Sequence, residues 1–245
     1  MDNANILTVN DLKADYTGRQ VLHGVGLEIN KAETYGLIGL NGAGKTTLIK
    51  IILGLKDELS GDIKILGLAR SDKLVKSEIS YLPERFDPPW FLTGGEFIDF
   101  SAELYGRKVD KTTVEDFAIR LALDPAVMKR KVQTYSKGMR QKLGLIATIL
   151  TGCSLLILDE PMSGLDPLAR ALVKSVLAKV KEEGRTVILS SHILADMDEI
   201  CDRISVIHDG IIHYSGTPAG FREKMNETNL ERAFLQVVQP NMKAA

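Results

Sequence analysis

Cysteine is nearly missing from this 245-residue chain, which has two, Cys153 and Cys201. Both sit in apolar segments, so buried free thiols in a reducing compartment are expected rather than a disulfide scaffold or a metal site. Net positive charge is missing as well: the formal charge is −1. The chain therefore lacks the overall basic footprint of a nucleic-acid binder, and only a local patch stays open. It has no apolar run that suits a membrane span. The longest uncharged stretch, Leu143–Leu158, is broken by Gly144, Thr148, Thr151, Gly152 and Ser154. It reads as the end of a buried helix, a turn and a buried strand. The start, Met1-Asp2-Asn3-Ala4-Asn5, has neither a basic segment nor an apolar one, so no signal peptide is expected. No internal repeat or low-complexity segment is present. What remains is an ordinary globular composition, 44% hydrophobic and 26% charged. A full core is expected, as one domain with a smaller appended lobe.

One stretch stands apart from this background. Gly39-Leu40-Asn41-Gly42-Ala43-Gly44-Lys45-Thr46-Thr47 fits the Walker A pattern G-x-x-x-x-G-K-[ST] without departure. Thr34–Ile38 before it reads as a short buried strand, and Thr46–Leu53 after it reads as a helix ending at Gly54. That is the strand–loop–helix setting in which glycines let backbone N–H groups turn inward around a phosphate. The helix N-terminus adds its dipole. Asn41, Gly42, Ala43, Gly44, Lys45, Thr46 and Thr47 are thus expected to bind a nucleoside triphosphate. Lys45 would neutralise charge between the β- and γ-phosphates, and the Thr46 hydroxyl would hold Mg²⁺.

Ile6–Ile29 alternates apolar and polar residues around Tyr16-Thr17-Gly18, the pattern of an antiparallel lobe. Short apolar runs at Thr34–Ile38, Ile79–Leu82, Leu155–Leu158 and Thr186–Leu189 read as parallel strands buried on both faces. A helical insertion is expected from about Pro88 to Gly152. Thr93-x-x-Glu96 and Thr112-x-x-Glu115 resemble capping boxes. They open helices over Glu96–Tyr105 and Thr113–Leu123, and a third runs from Ser136 to Leu150. A further helix, Asp166–Glu183, carries Leu168, Leu172, Val176 and Val180 at helical spacing and stops at Gly184. Arg203–Tyr214 reads as a hairpin turning at Asp209-Gly210. Two C-terminal helices follow, the second opened by Thr228-x-x-Glu231, and Gln239–Ala245 is expected to fray. The fold class is α/β: a P-loop NTPase core with a mostly parallel sheet, an antiparallel β N-terminal lobe and an inserted α-helical lobe.

The third core strand ends in Asp159-Glu160-Pro161, which places carboxylates at the edge where open α/β sheets bind ligands. Asp159 suits the Mg²⁺ shell, and Glu160 suits a general base for the attacking water. Taken alone, two solvated acids at a strand end would be the simpler interpretation; the phosphate loop upstream argues against it.

Together these residues resemble the ATP-binding cassette (ABC) ATPase domain, over about Leu7 to Gly216. Tyr135-Ser136-Lys137-Gly138-Met139 resembles the family's signature segment, with Lys137 and Met139 where Gly and Gln are common, as in exporter-type members. In isolation it is also a plain helix cap. The resemblance implies that Ser136 and Gly138 meet the ATP held by a second subunit. Ser163-Gly164-Leu165-Asp166 resembles the loop crossing the dimer interface. His192, after Ser190-Ser191, resembles the switch histidine that contacts the γ-phosphate and helps hold Glu160; His23, His208 and His213 are taken as structural. Tyr16 resembles the aromatic that stacks on adenine, although a tyrosine at a turn competes. Glu84 stands where the family usually has Gln, and its carboxylate offers oxygen to Mg²⁺ or water without an amide's donor. Pro88, Pro89, Trp90 and Phe91 either line a docking groove for a partner helix or pack within the helical lobe.

The resemblance implies residues 1–220 as the ATPase domain, with a helical subdomain at about 88–152, and 221–245 as a short helical tail. It implies an ATP-hydrolysing subunit of an ABC transporter, of exporter type. Such a subunit is peripheral, on the cytoplasmic face of the cell membrane, and powers a separate integral membrane permease by closing and opening a head-to-tail homodimer. Leu92–Phe97 and Thr228–Leu235 also resemble exporter ATPases. The extra C-terminal domain usual in sugar importers is not seen. The alternative is a soluble ABC ATPase acting on nucleic acid or the ribosome. Those usually carry two cassettes or a long coiled-coil insert, and the near-neutral charge also argues against it, so no nucleic-acid partner is expected.

Overall fold

The computed structural model describes residues 5–16 and 18–239. The expectations for the N-terminal start, for Thr17 in the first turn and for the fraying of 240–245 fall outside them.

The chain opens with two long strands, β1 (Asn5–Tyr16) and β2 (Arg19–Asn30), paired antiparallel. Then come β3 (Thr34–Ile38), α1 (Lys45–Ile52), β4 (Ser60–Ile65), β5 (Leu68–Ala69), α2 (Lys73–Ser77) and β6 (Ile79–Leu82). The helical insertion holds α3 (Gly94–Glu103), α4 (Lys111–Arg120), two 3₁₀ turns (Pro125–Lys129 and Val132–Thr134) and α5 (Lys137–Leu150). The core resumes with β7 (Leu155–Asp159), α6 (Pro167–Glu182), β8 (Thr186–Ser191), α7 (Leu194–Ile200), β9 (Arg203–His208) and β10 (Ile211–Gly216). It ends in α8 (Pro218–Met225) and α9 (Leu230–Val238).

Six strands form the central sheet in the order β10-β9-β3-β8-β7-β6. All neighbours are parallel except the β9–β10 hairpin. A second sheet, β2-β1-β4-β5, is antiparallel. Side chains alternate faces along a strand, and here that alternation builds two cores. Leu155 and Ile157 of β7 and Ile188 of β8 join α1 and the antiparallel sheet in one cluster. Leu156, Leu158, Val187 and Leu189 face the helical insertion and α6–α9 in the other.

The two-stranded N-terminal lobe is thus half of a four-stranded sheet, completed by β4 and β5. The expected boundary at 220/221 falls inside α8. Phe221 is fully buried, and with Leu230 and Phe234 it belongs to the same cluster as β7 and β8. The C-terminal helices therefore share the main core.

Helix starts follow local capping. Thr93 and Glu96 form a reciprocal capping box that opens α3 two residues ahead of the expected start. The other two expected boxes are displaced. Asp110, not Thr112, caps α4 by accepting from Thr113 N, and Asn229, not Thr228, caps α9. In each case an Asx side chain nearby reaches the free amides first, and Asp and Asn are the stronger caps. On α6, Val173, Val176, Leu177 and Val180 are buried, while Leu168 is exposed beside the Asp166 cap.

Candidate functional site

Between β3 and α1 the chain turns sharply around an open cleft of about 210 Å³. Asn41, Gly42, Gly44, Lys45, Thr46, Thr47, Glu84, Asp159 and Glu160 all line it. Two glycines make the turn possible. Gly39 runs so close to β9 that a Cβ would lie 2.5 Å from the Ile207 carbonyl oxygen. Gly44 sits at φ +109, in the left-handed region, as the N-cap of α1. A glycine cap brings no side-chain acceptor, so the first amides of α1 receive no capping bond. They remain available to an anion, with the helix dipole behind them. Ala43 belongs to the loop but is buried against the β1–β2–α1 cluster.

Lys45 is 6% exposed. Its Nζ donates to the carbonyls of Gly39 at 2.7 Å and Leu40 at 3.2 Å. Burial pulls its pKa down, and Glu160, Asp159 and Glu84 pull it back up. Three carboxylates thus act on this one ammonium group. Tyr81, on β6, has its hydroxyl pushed up to about 12 by burial first and by the charges of Asp159 and Glu84 second.

The acidic pair is built by strand register. β7 lies parallel to β8, with Asp159 opposite Ser190. Asp159 is almost fully buried and accepts from Thr46 Oγ1 at 3.2 Å through Oδ2 and from Ser190 through Oδ1. Glu160 is also buried and adopts φ +52, a strained conformation for a side chain of its size. Its carboxylate meets His192 Nδ1 at 2.8 Å. A carboxylate oxygen only accepts, so Nδ1 carries the proton and Nε2 is left as the free ring nitrogen.

Other expected residues lie apart. His192 does not line the cleft and joins it through Glu160. Ser136 caps α5 by accepting from Met139 N at 3.2 Å. It is exposed, and with Gly138 it lies outside the cleft. Tyr16 is 60% exposed at the end of β1, with Lys56 Nζ 5.5 Å from its ring centre. A groove in the helical lobe is lined by Phe86, Phe97, Leu104 and Tyr105, and Pro88–Phe91 do not line it. Trp90 and Phe91 instead stand exposed, edge to face. Sequence reasoning missed two buried polar residues. Ser190 bonds to both acids, and Gln141 Nε2 donates to Pro161 O at 3.1 Å. The only sequence sign of Ser190 was a serine pair before His192, and spacing gave no sign of Gln141.

A glycine loop at a helix N-terminus, facing a hydroxyl–carboxylate pair on a parallel sheet, defines a P-loop nucleoside triphosphatase. Among solved structures this fold matches an ATP-binding subunit of an ABC transporter, with a TM-score of 0.84, 31% identity, and coverage of 95% of this chain and 99% of that one.

The ABC transporter family model matches residues 22–163. EcsA, an ABC-type transporter ATP-binding protein of Bacillus subtilis, is 34% identical over 96% of this chain and 97% of its own length. This chain belongs to the ABC transporter family, among its ATP-binding proteins. The lantibiotic transport ATP-binding protein SrtF of Streptococcus pyogenes is 33% identical over 84% of this chain and 89% of itself. An uncharacterized ABC transporter ATP-binding protein of Synechocystis is 39% identical over 79% of this chain, and the chain spans only 55% of that relative's length. Among the described residues, no helix is long and apolar enough to cross a membrane.

Proposed function

We propose that this chain is the ATP-hydrolysing subunit of an ABC exporter, acting on a separate integral membrane permease from the cytoplasmic face of the membrane. The observation that carries the reading is the acidic pair beside the loop: Asp159 bonded to Thr46, and Glu160 bonded to His192. A hydroxyl and a carboxylate are the hard oxygen donors that Mg²⁺ takes, and the α1 amides lack a competing cap. Thr46 and Asp159 would hold the metal, which would supply positive charge to the phosphate oxygens. Lys45 binds phosphate oxygens, Glu160 takes a proton from the attacking water, and His192 keeps the Glu160 carboxylate aimed. Glu84 adds negative charge at the cleft rim and an oxygen for Mg²⁺ or water, and Tyr16 stacks on the base.

Ser136 and Gly138 stand on an exposed helix end outside the cleft. This supports a head-to-tail homodimer in which each chain lends them to its partner's nucleotide. Closure follows from contacts made only with the triphosphate. The groove beside Phe86 and Phe97 supports docking of a permease helix. Transport of a lantibiotic by SrtF supports the exporter direction.

Glu160→Gln tests the reading. Nucleotide binding should persist, turnover should fall by roughly 10²–10⁴-fold, and ATP should hold the variant as a dimer in size-exclusion chromatography. Hydrolysis at the wild-type rate would overturn the base assignment. Copurification from detergent-solubilised native membranes tests the partner; a pull-down containing only soluble proteins or RNA would remove the exporter reading.

A further inference from the structure

The end of β8 and the histidine just after it grip the acidic pair at three points. Ser190 is fully buried, and its hydroxyl reaches both acids at once. Asp159 Oδ1 has no proton to give as a carboxylate, so Ser190 donates to it and accepts the Glu160 N–H at 3.0 Å with a lone pair. Two residues further on, His192 holds the Glu160 carboxylate. With Oδ1 engaged by Ser190 and Oδ2 facing Thr46, the Asp159 carboxylate has one orientation. The Glu160 amide is tethered where its backbone is strained, at φ +52. Removing the hydroxyl leaves a buried N–H and a buried carboxylate oxygen each short of a partner.

We infer that Ser190 is a positioning residue that sets metal affinity through Asp159 while fixing the backbone from which Glu160 acts. This rests on the metal role proposed above for Asp159. Partners that orient a ligating carboxylate change metal affinity by roughly 10–100-fold when removed, whereas a residue that only fills space does not.

The experiment measures Mn²⁺ affinity of the full chain in the presence of ADP, by electron paramagnetic resonance. ADP affinity in EDTA is measured alongside. Ser190→Ala should weaken Mn²⁺ binding at least tenfold, leave metal-free ADP affinity within about twofold, and be rescued by Ser190→Thr. If thermal melts show that Ser190→Ala does not fold, Ser190→Cys, similar in size with a weaker donor, takes its place. Asp159→Asn separates the two layers. If it weakens Mn²⁺ binding while the Ser190 variants match wild type, the role of Ser190 falls and the metal assignment stands. If it also matches wild type, both fall.

Discussion

Gly94 offers a test of how the signature helix is seated. A Cβ built there would lie 2.2 Å from the Tyr135 hydroxyl and 3.2 Å from both Tyr135 Cζ and Met128 Sδ. Tyr135 is buried, donates to Val127 O at 2.7 Å, and is followed directly by the exposed Ser136. Gly94→Ala must therefore push this ring or the start of α3. Overpacking of this kind costs roughly 1–3 kcal/mol, and the gain in helix propensity returns at most about 1 kcal/mol. A net loss of about 2 kcal/mol is expected. Tyr135→Phe removes the clashing atom. Val127 O still accepts from Arg130 N at 2.8 Å, so this change costs only about 1 kcal/mol. In the double variant the hydroxyl overlap is gone, and the total should be about 1–2 kcal/mol rather than the sum of about 3 kcal/mol. Urea unfolding followed by circular dichroism measures all four corners of the cycle. Additivity within about 0.5 kcal/mol would refute the claim that one atom pair dominates this contact.

Three further outcomes are expected. Lys45→Ala should weaken ATP binding strongly while leaving the fold intact; undiminished affinity by calorimetry would sink the phosphate-loop reading. The Tyr81 phenol, raised from 10.0 to about 12, favours the folded state fully below pH 10, and that contribution fades as pH rises towards 12. Ultraviolet titration should detect a late-ionising tyrosine that Tyr81→Phe removes and Glu84→Gln shifts downward. Tyr16→Ala should lower affinity for ATP more than for inorganic triphosphate; equal losses by calorimetry would show that the ring does not meet the base.

The legible parts of the fold were those written locally. The loop from Gly39 to Thr47 has fixed chemistry at fixed spacing, and β3, β6, β7 and β8 are continuous apolar runs. Both appear in the structure where expected. β4 and β5 were not read, because Ser60–Ala69 carries a weak pattern and gains its meaning from pairing with β1. One capping motif of three was legible: the box at Thr93 held, but at Thr112 and Thr228 a neighbouring Asp110 or Asn229 took the amides. In the site, Asp159 and Glu160 announced themselves as acids ending a strand. Ser190 did not, because its role arises from the register of β7 on β8, which depends on long-range pairing.

The Lys45 bonds to Gly39 and Leu40 carry a kinetic consequence. They make the loop a ring stitched shut by its own ammonium, so its shape does not depend on a guest. Phosphate capture is then a swap of acceptors by one side chain, with no segment left to fold. Entry and departure are freed from a slow ordering step, and amide exchange at the cleft-lining loop residues and the uncapped start of α1 should slow when nucleotide is added, because phosphate oxygens then accept from those N–H groups.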